Sequence, residues 1–448
     1  MFRNKILYFL GIGGIGMSAL ARWCQNEGAL IFGYDQQPTK LTNELISEGM
    51  KIHFTPDINL IPENIEQVVY TPAIPSDNPE YQHFIKNGLP LMKRAELMGR
   101  ITQDIPTIAI AGTHGKTSIS ALTAHILVHA GINISAFVGG ICRNYNTNLI
   151  LSDSTDYLVV EADEFDRSLL KIEPDIAVIS SMDEDHLDIY TDKDDIHNTF
   201  IEFAQKLKDG VLIYNSKLVS LKGINKRQVS YSPKHTATTQ CTSIAIKNGK
   251  YIIDIETLTG KLSDVEIQIP GLHNIENTLA ATSVAVEVGI SVDKIKTGIE
   301  SFKGVERRMD YRINQDNCIY IDDYAHHPEE IKTTIATLRE LYPSKRITGI
   351  FQPHLYSRTR DFADDFANEL EKLDEIILME IYPAREKPIV GITSGLLSEK
   401  IKNENCRVLS ADKIPGYIAE IKPEVLLTMG AGDIGLLVTK IENALKKI

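Results

Sequence analysis

Thr107-Ile108-Ala109-Ile110-Ala111, running into Gly112-Thr113-His114-Gly115-Lys116-Thr117-Ser118, decides the fold. The first five residues are β-branched or small and apolar, which predicts a buried strand, and a helical pattern follows the glycine-rich turn. Strand, loop and helix in that order make a phosphate-binding loop. Its G-K-T core puts an ammonium at the β- and γ-phosphates and a hydroxyl on Mg2+, while loop N–H groups cradle the oxygens. The stretch departs from the strict G-x-x-x-x-G-K-[ST] pattern, because Ile110 stands at the first glycine position. A loop of this kind implies ATP or GTP and a largely parallel sheet around it.

Upstream lies a second glycine loop, Gly11-Ile12-Gly13-Gly14-Ile15-Gly16, between a predicted strand at 5–10 and a predicted helix at 15–27. Its glycines permit a tight turn and close approach of a diphosphate to the helix N-terminus. Asp35 ends the next predicted strand, nineteen residues beyond Gly16, where an acid often takes a ribose hydroxyl. The motif fits a nucleotide or a diphosphate without naming one, so NAD-linked chemistry stays open at this point.

Short β-rich runs alternate with helical patterns along nearly the whole chain. The expectation is an α/β protein of three domains: a Rossmann-like domain at 1–104, a central P-loop ATPase domain at 105–305 and a Rossmann-like α/β domain at 306–448. The first series has strands at 29–34, 68–71 and 89–92, with a helix at 78–87. The second has strands at 107–111, 157–160 and 177–180 and a helix at 274–288. The third has strands at 318–321, 347–351, 375–379 and 425–429. Residues 228–255, rich in Thr, Ser and Lys, are expected to form short antiparallel strands or an insertion.

Composition narrows the partners. The 448 residues are 43% hydrophobic and 24% charged, which excludes a disordered chain or a fibrous repeat. A net charge of −13 leaves no global cationic footprint for nucleic acid, so no nucleic-acid partner is expected. Four glycines interrupt the N-terminal apolar run, which argues against a signal peptide, and no stretch reaches the roughly 20 apolar residues of a membrane span. Five scattered Cys without a C-x-x-C fit reduced thiols. A cytoplasmic protein without a membrane partner is expected.

Metal ligands for phosphoryl transfer belong beyond strands near the phosphate loop. Two acidic clusters stand there: Glu161-Ala162-Asp163-Glu164-Phe165-Asp166, and Asp183-Glu184-Asp185-His186-Leu187-Asp188. Solvated acidic loops would read the same way. His273-Asn274-x-x-Asn277 opens a helix, where Asn could reach a base or serve as a cap. The third series carries Asp322-Asp323-Tyr324-Ala325-His326-His327-Pro328 and Phe351-Gln352-Pro353-His354-Leu355-Tyr356-Ser357-Arg358, each after a predicted strand. Arg suits two-point recognition of a carboxylate.

In this order, G-I-G-G-I-G-M-S, G-T-H-G-K-T-S, E-A-D-E-x-D, D-H-L-D, H-N-x-x-N, D-D-Y-A-H-H-P, F-Q-P-H-x-Y-S-R and M-G-A-G-D-I resemble the Mur ligases of peptidoglycan synthesis over nearly the whole chain. The resemblance implies a UDP-sugar domain, an ATPase domain and an amino-acid domain. It also turns the first glycine loop from a dinucleotide site into one for the diphosphate of UDP. The implied reaction is ATP-dependent ligation of L-alanine to the lactyl carboxylate of UDP-N-acetylmuramate through an acyl phosphate. A ligase that attaches a whole murein tripeptide to the same sugar is the alternative, with an NAD(P)-linked oxidoreductase behind it. Carried over by position, Lys116 would neutralise the transferring phosphoryl group, and Thr117, Glu161 and His186 would hold Mg2+ or Mn2+. Gly112, Thr113, His114, Gly115, Ser118, Asn274 and Asn277 would bind ATP, and Gly11, Gly13, Gly14, Gly16 and Asp35 the UDP-sugar. Tyr324, His354 and Arg358 would line the amino-acid end. Leu355 stands where the family often has Arg, leaving Arg358 and Arg360 as carboxylate contacts.

Overall fold

In the computed structural model, which describes residues 2–183, 190, 192–247, 249–384 and 386–446, the chain forms three sheets. The first has five strands in the order Lys51–His53, Leu30–Tyr34, Ile6–Leu10, Gln67–Tyr70 and Leu91–Lys93, all parallel. Its central strand changes direction of winding at the first glycine loop, which is where open α/β sheets bind ligands.

The second sheet has ten strands. At its centre Thr107–Ala111 lies between Ile176–Ile179 and Tyr157–Ala162, parallel to both. All three strands therefore end at one edge, where the phosphate loop begins. Every residue of Thr107–Ala111 is buried, as the continuous apolar run predicts. The segment expected to be antiparallel differs in part. Arg227–Ser232 pairs in parallel with Val211–Asn215, and Thr239–Lys247 joins it in parallel at Tyr231↔Thr239 and Ser232↔Gln240. The intervening turn carries the chain back instead of reversing it.

The third sheet runs Asp310–Gln315, Cys318–Asp323, Val425–Met429, Ile347–Phe351, Glu375–Leu378 and Cys406–Val408. Only the pairing of Asp310–Gln315 with Cys318–Asp323 is antiparallel. Cys318–Asp323 ends in Asp322-Asp323, and Gln352 and Gly430 directly follow Ile347–Phe351 and Val425–Met429, so the candidate residues of this sheet gather at one edge.

By packing, the chain divides into two units. One comprises residues 1–243, 254–265 and 276–302 and holds the first sheet with most of the second. The other comprises 244–253, 266–275 and 303–448 and holds the third sheet. Within the larger unit the first two sheets share one apolar core. Buried Asn148 donates to the Ile15 carbonyl at 2.6 Å and accepts from Arg22 Nη1 at 2.7 Å, and Trp23 packs on Phe137. All five cysteines are free thiols, and no helix among the described residues is long and apolar enough to cross a membrane.

Candidate active site

The phosphate loop is built by two neighbouring strands. Ser181, just past Ile176–Ile179, accepts the His114 amide on Oγ at 2.8 Å and shares a hydrogen bond of 2.9 Å with the Thr113 hydroxyl. The Thr113 amide donates to the Ser181 carbonyl at 3.3 Å, and the helix Lys116–His129 starts at Lys116, so the helix N-terminus lies at the loop. Asn277, buried on the helix Leu272–Glu287, lies beside Gly115.

Glu161 is the last but one residue of the strand Tyr157–Ala162, in register with Ile110. That register carries its carboxylate to the loop. Oε2 accepts from the Thr117 hydroxyl at 3.2 Å, Oε1 accepts from the Ser120 hydroxyl at 3.0 Å, and the Gly139 amide also donates to Oε1. A carboxylate beside a threonine hydroxyl at a phosphate loop is the oxygen donor set that a small hard cation takes. Lys116 pairs with Glu164, whose side chain is 1% exposed. Burial alone would push the Lys116 ammonium down, but the carboxylates of Glu164 and Asp163 outweigh it and hold the group above its ordinary value. His186 lies outside the described residues.

The first glycine loop lines a cavity of about 830 Å3 with Tyr34, Asp35, Thr71, Asn78, Arg94 and Asp163 among its walls. Gly11, Gly13, Gly14 and Gly16 all face it, and Asp35 Oδ2 accepts the Gly13 amide at 2.7 Å. The volume suits a nucleotide-sized ligand. Arg94 was not among the expected binding residues. The available signal is its position, directly after the strand Leu91–Lys93 at the ligand-binding edge of a parallel sheet.

In the smaller unit, Asn274, in the first turn of the helix Leu272–Glu287, donates its amide to the Pro270 carbonyl at 2.7 Å. The Tyr324 ring lies under the guanidinium groups of Arg307 and Arg308, at 5.1 and 5.0 Å from its centroid. His354 stacks on Tyr382 at 5.8 Å and meets His326 edge-on at 5.9 Å. Arg358 starts within the short helix Tyr356–Asp361, close behind His354, whereas Arg360 turns away to Asp361 at 2.7 Å. Arg307 and Arg308 are a further addition to the expected set, and the R-R pair after a glycine turn was its only trace in the sequence.

A phosphate loop with an adjoining carboxylate, sharing one core with a second glycine loop and its nucleotide-sized cavity, defines an ATP-dependent enzyme that acts on small molecules. Three family models match consecutive segments: Mur ligase family, catalytic domain, at residues 6–105; Mur ligase middle domain at 110–285; and Mur ligase, glutamate ligase domain, at 307–432. The chain belongs to the Mur ligase family of ATP-dependent ligases. It is 46% identical over 445 residues to the UDP-N-acetylmuramate–L-alanine ligase of Flavobacterium johnsoniae, covering 98% of each chain. It is 41% identical over 446 residues to the ligase of the same name from Cytophaga hutchinsonii, covering 97% of this chain and 96% of that one. In fold it is similar to the UDP-N-acetylmuramate-alanine ligase of Thermotoga maritima, with TM-score 0.86, 24% identity and 99% of each chain covered. The murein peptide ligase of Psychrobacter arcticus is similar over the same share, with TM-score 0.73 and 23% identity.

Proposed function

We propose that this chain joins L-alanine to the lactyl carboxylate of UDP-N-acetylmuramate, with ATP converted to ADP and phosphate. The observation that carries the reading is the 3.2 Å contact of Thr117 with Glu161 at the phosphate loop, in one packed unit with the cavity of Gly11–Gly16. Full-length relatives at 41–46% identity, whose names give those two substrates, support it. Substrates of this kind belong to the cytoplasm.

A carboxylate is a poor electrophile, so its oxygen first attacks the γ-phosphorus and ADP leaves. The amine nitrogen then attacks the acyl carbon, phosphate leaves with the C–O bond pair, and the amine gives up a proton. Lys116 would neutralise charge on the transferring phosphoryl group, and Gly112, Thr113, His114, Gly115 and Ser118 would bind the rest of ATP. Asn274 and Asn277 would stand on the adenosine side. Thr117 and Glu161, with His186, would hold Mg2+ or Mn2+, which offsets phosphate charge when bound. Residues 1–104, with Gly11, Gly13, Gly14, Gly16 and Asp35, would bind the UDP-sugar, and 105–305 the ATP. In 306–448, Tyr324, His354 and Arg358 would receive the amino acid.

The test is ATP-dependent phosphate release with UDP-N-acetylmuramate and, in separate reactions, L-alanine, glycine, L-serine and the murein tripeptide. L-Alanine is expected to give the highest kcat/KM. Release that is faster with the tripeptide, or independent of any amine, would overturn the reading.

A further inference from the structure

The acidic run after the second sheet's strand Tyr157–Ala162 sends its carboxylates in different directions. Glu161 faces Thr117 and Ser120. Glu164 holds Lys116, whose Nζ lies 2.6 Å from Oε2, 2.8 Å from Oε1 and 2.7 Å from the Gly112 carbonyl. An ammonium has three N–H donors, and these three acceptors engage all of them. Asp163 faces the other glycine loop, where its Oδ2 accepts from Arg94 Nη2 at 3.0 Å. The guanidinium of Arg94 lies over that loop. Its Nη1 is 2.8 Å from where a Cβ on Gly16 would stand, so a side chain there would push the guanidinium aside. Two further contacts pin the run. Tyr190 donates its hydroxyl to the Glu164 carbonyl at 2.6 Å, and Lys93 Nζ reaches Asp166 Oδ2 at 2.8 Å. Asp166 and Arg167 both take left-handed φ, 54° and 51°, a strained conformation for side chains of this size.

We propose that Glu164 is the positioning residue for Lys116, and that the Arg94–Asp163 pair links its grip to occupancy of the first cavity, so that a diphosphate there tightens ATP binding. The inference rests on the proposed function, which assigns the two ligands to the two loops. Lys116 can give an N–H to a γ-phosphate only when Glu164 yields one of its two contacts. Among the described residues lining the cavity, Arg94 is the only cation, so an entering diphosphate engages its guanidinium. Asp163 then shares its counter-charge with a stronger anion, and its tether to the first loop weakens. Glu164 is the next residue along the chain, so the freed run lets its carboxylate withdraw from Lys116 at lower cost. By linkage, ATP must tighten binding of the diphosphate by the same factor.

Calorimetry on the full chain tests this, using a non-hydrolysable ATP analogue with Mg2+ and UDP as the diphosphate probe. UDP is expected to lower the Kd of the analogue about five-fold or more, and the analogue to lower the Kd of UDP equally. Asp163→Asn should bring that factor close to one while both ligands still bind. Glu164→Gln should tighten the analogue without UDP and also remove the factor. Arg94→Lys, which keeps the charge but loses the fork, serves where Asp163→Asn fails to fold, and should reduce the factor. Independent binding of both ligands to the unaltered chain, or full coupling retained in these variants, would overturn this inference and leave the proposed function standing. No UDP binding at all would overturn both.

Discussion

Asp35 Oδ2 accepts the main-chain N–H of Gly13 at 2.7 Å, and a Cβ on Gly13 would stand 2.8 Å from the same oxygen. One oxygen of the acid that follows the second strand is thus spent on the glycine loop itself. It adds to a turn in which the Gly11 and Ile12 amides donate to the Tyr34 carbonyl and the Gly14 amide to the Gly11 carbonyl. Asp35→Ala is expected to weaken UDP binding about ten-fold, roughly the loss of one charge-assisted hydrogen bond. Gly13→Ala should weaken it further, because the new methyl meets both Asp35 and Thr42. Calorimetry with UDP checks both, and unchanged affinity in Asp35→Ala would show that the loop holds its shape without the carboxylate.

Lys116 and Glu164 carry a stability consequence separate from catalysis. Lys116→Ala should remove most of the rate, since no other loop cation takes its place at the phosphates. It also leaves Glu164, 1% exposed, as a buried charge without its partner, which costs about 3 kcal/mol or more. The Tm should therefore fall by several degrees. Removing both, in Lys116→Ala with Glu164→Ala, should restore most of the Tm and none of the activity. A double variant no more stable than Lys116→Ala would mean that the pair is not energetically coupled.

Three strands were legible to the residue, and full burial is common to them without being sufficient, since Val211–Asn215 is buried throughout and was not expected. Thr107–Ala111, Ile347–Phe351 and Val425–Met429 have every residue buried, and each is bounded by glycine, proline or a polar turn. The strand at 157–160 was read two residues short. Glu161 pairs in register with Ile110 although it is charged, because its carboxylate is satisfied by Thr117, Ser120 and Gly139. Local pattern cannot see that, and for the same reason it cannot find Arg94, whose partner Asp163 is 69 residues away. The Asp35 contact was hidden differently. An acid at that position reads equally as a ligand contact or as a brace for the loop, and only geometry separates the two.

Ser120 sits one helical turn beyond Thr117, and its hydroxyl donates to Glu161 Oε1 at 3.0 Å. It orients the carboxylate that would hold the metal without facing the phosphates itself. Ser120→Ala is expected to raise the Mg2+ concentration for half-maximal rate about ten-fold, in keeping with other outer contacts of metal ligands, while kcat at saturating Mg2+ changes little. A loss of kcat with no change in Mg2+ requirement would assign Ser120 to packing alone.

His125, buried on the helix Lys116–His129, shares hydrogen bonds of 2.9 Å with Tyr145 Oη and 3.0 Å with Ser301 Oγ. Burial, followed by the nearby His129, pushes its imidazole down to about 4. The folded chain therefore resists a proton that the unfolded chain accepts near pH 6.5. Stability from this group is complete above that pH and falls as pH drops from about 6.5 to 4. His125→Gln, which keeps a donor and an acceptor, should lower Tm at pH 7.5 yet lose less Tm than the unaltered chain between pH 6.5 and 4.5. Parallel Tm profiles for the two would show that His125 does not carry the acid sensitivity.

If the carboxylate is activated before the amine attacks, ATP cleavage should be reversible on the enzyme with UDP-N-acetylmuramate and no amino acid present. ATP labelled at the β–γ bridging oxygen should then scramble its label, because the β-phosphate of bound ADP can rotate before the γ-phosphoryl group returns. The reverse transfer requires that ADP stay against the loop amides and that the acyl phosphate be shielded from water. Glu161→Gln should suppress the exchange, since it weakens the oxygen donor set opposite Thr117. Slow rotation of bound ADP would mask scrambling, so borohydride trapping of the acyl phosphate as the corresponding alcohol provides an independent measure. Absence of both signals, in a preparation that still ligates L-alanine at its ordinary rate, would rule out stepwise activation. Attack of the amine would then have to be concerted with phosphoryl transfer, and the loop residues would stabilise one transition state instead of two.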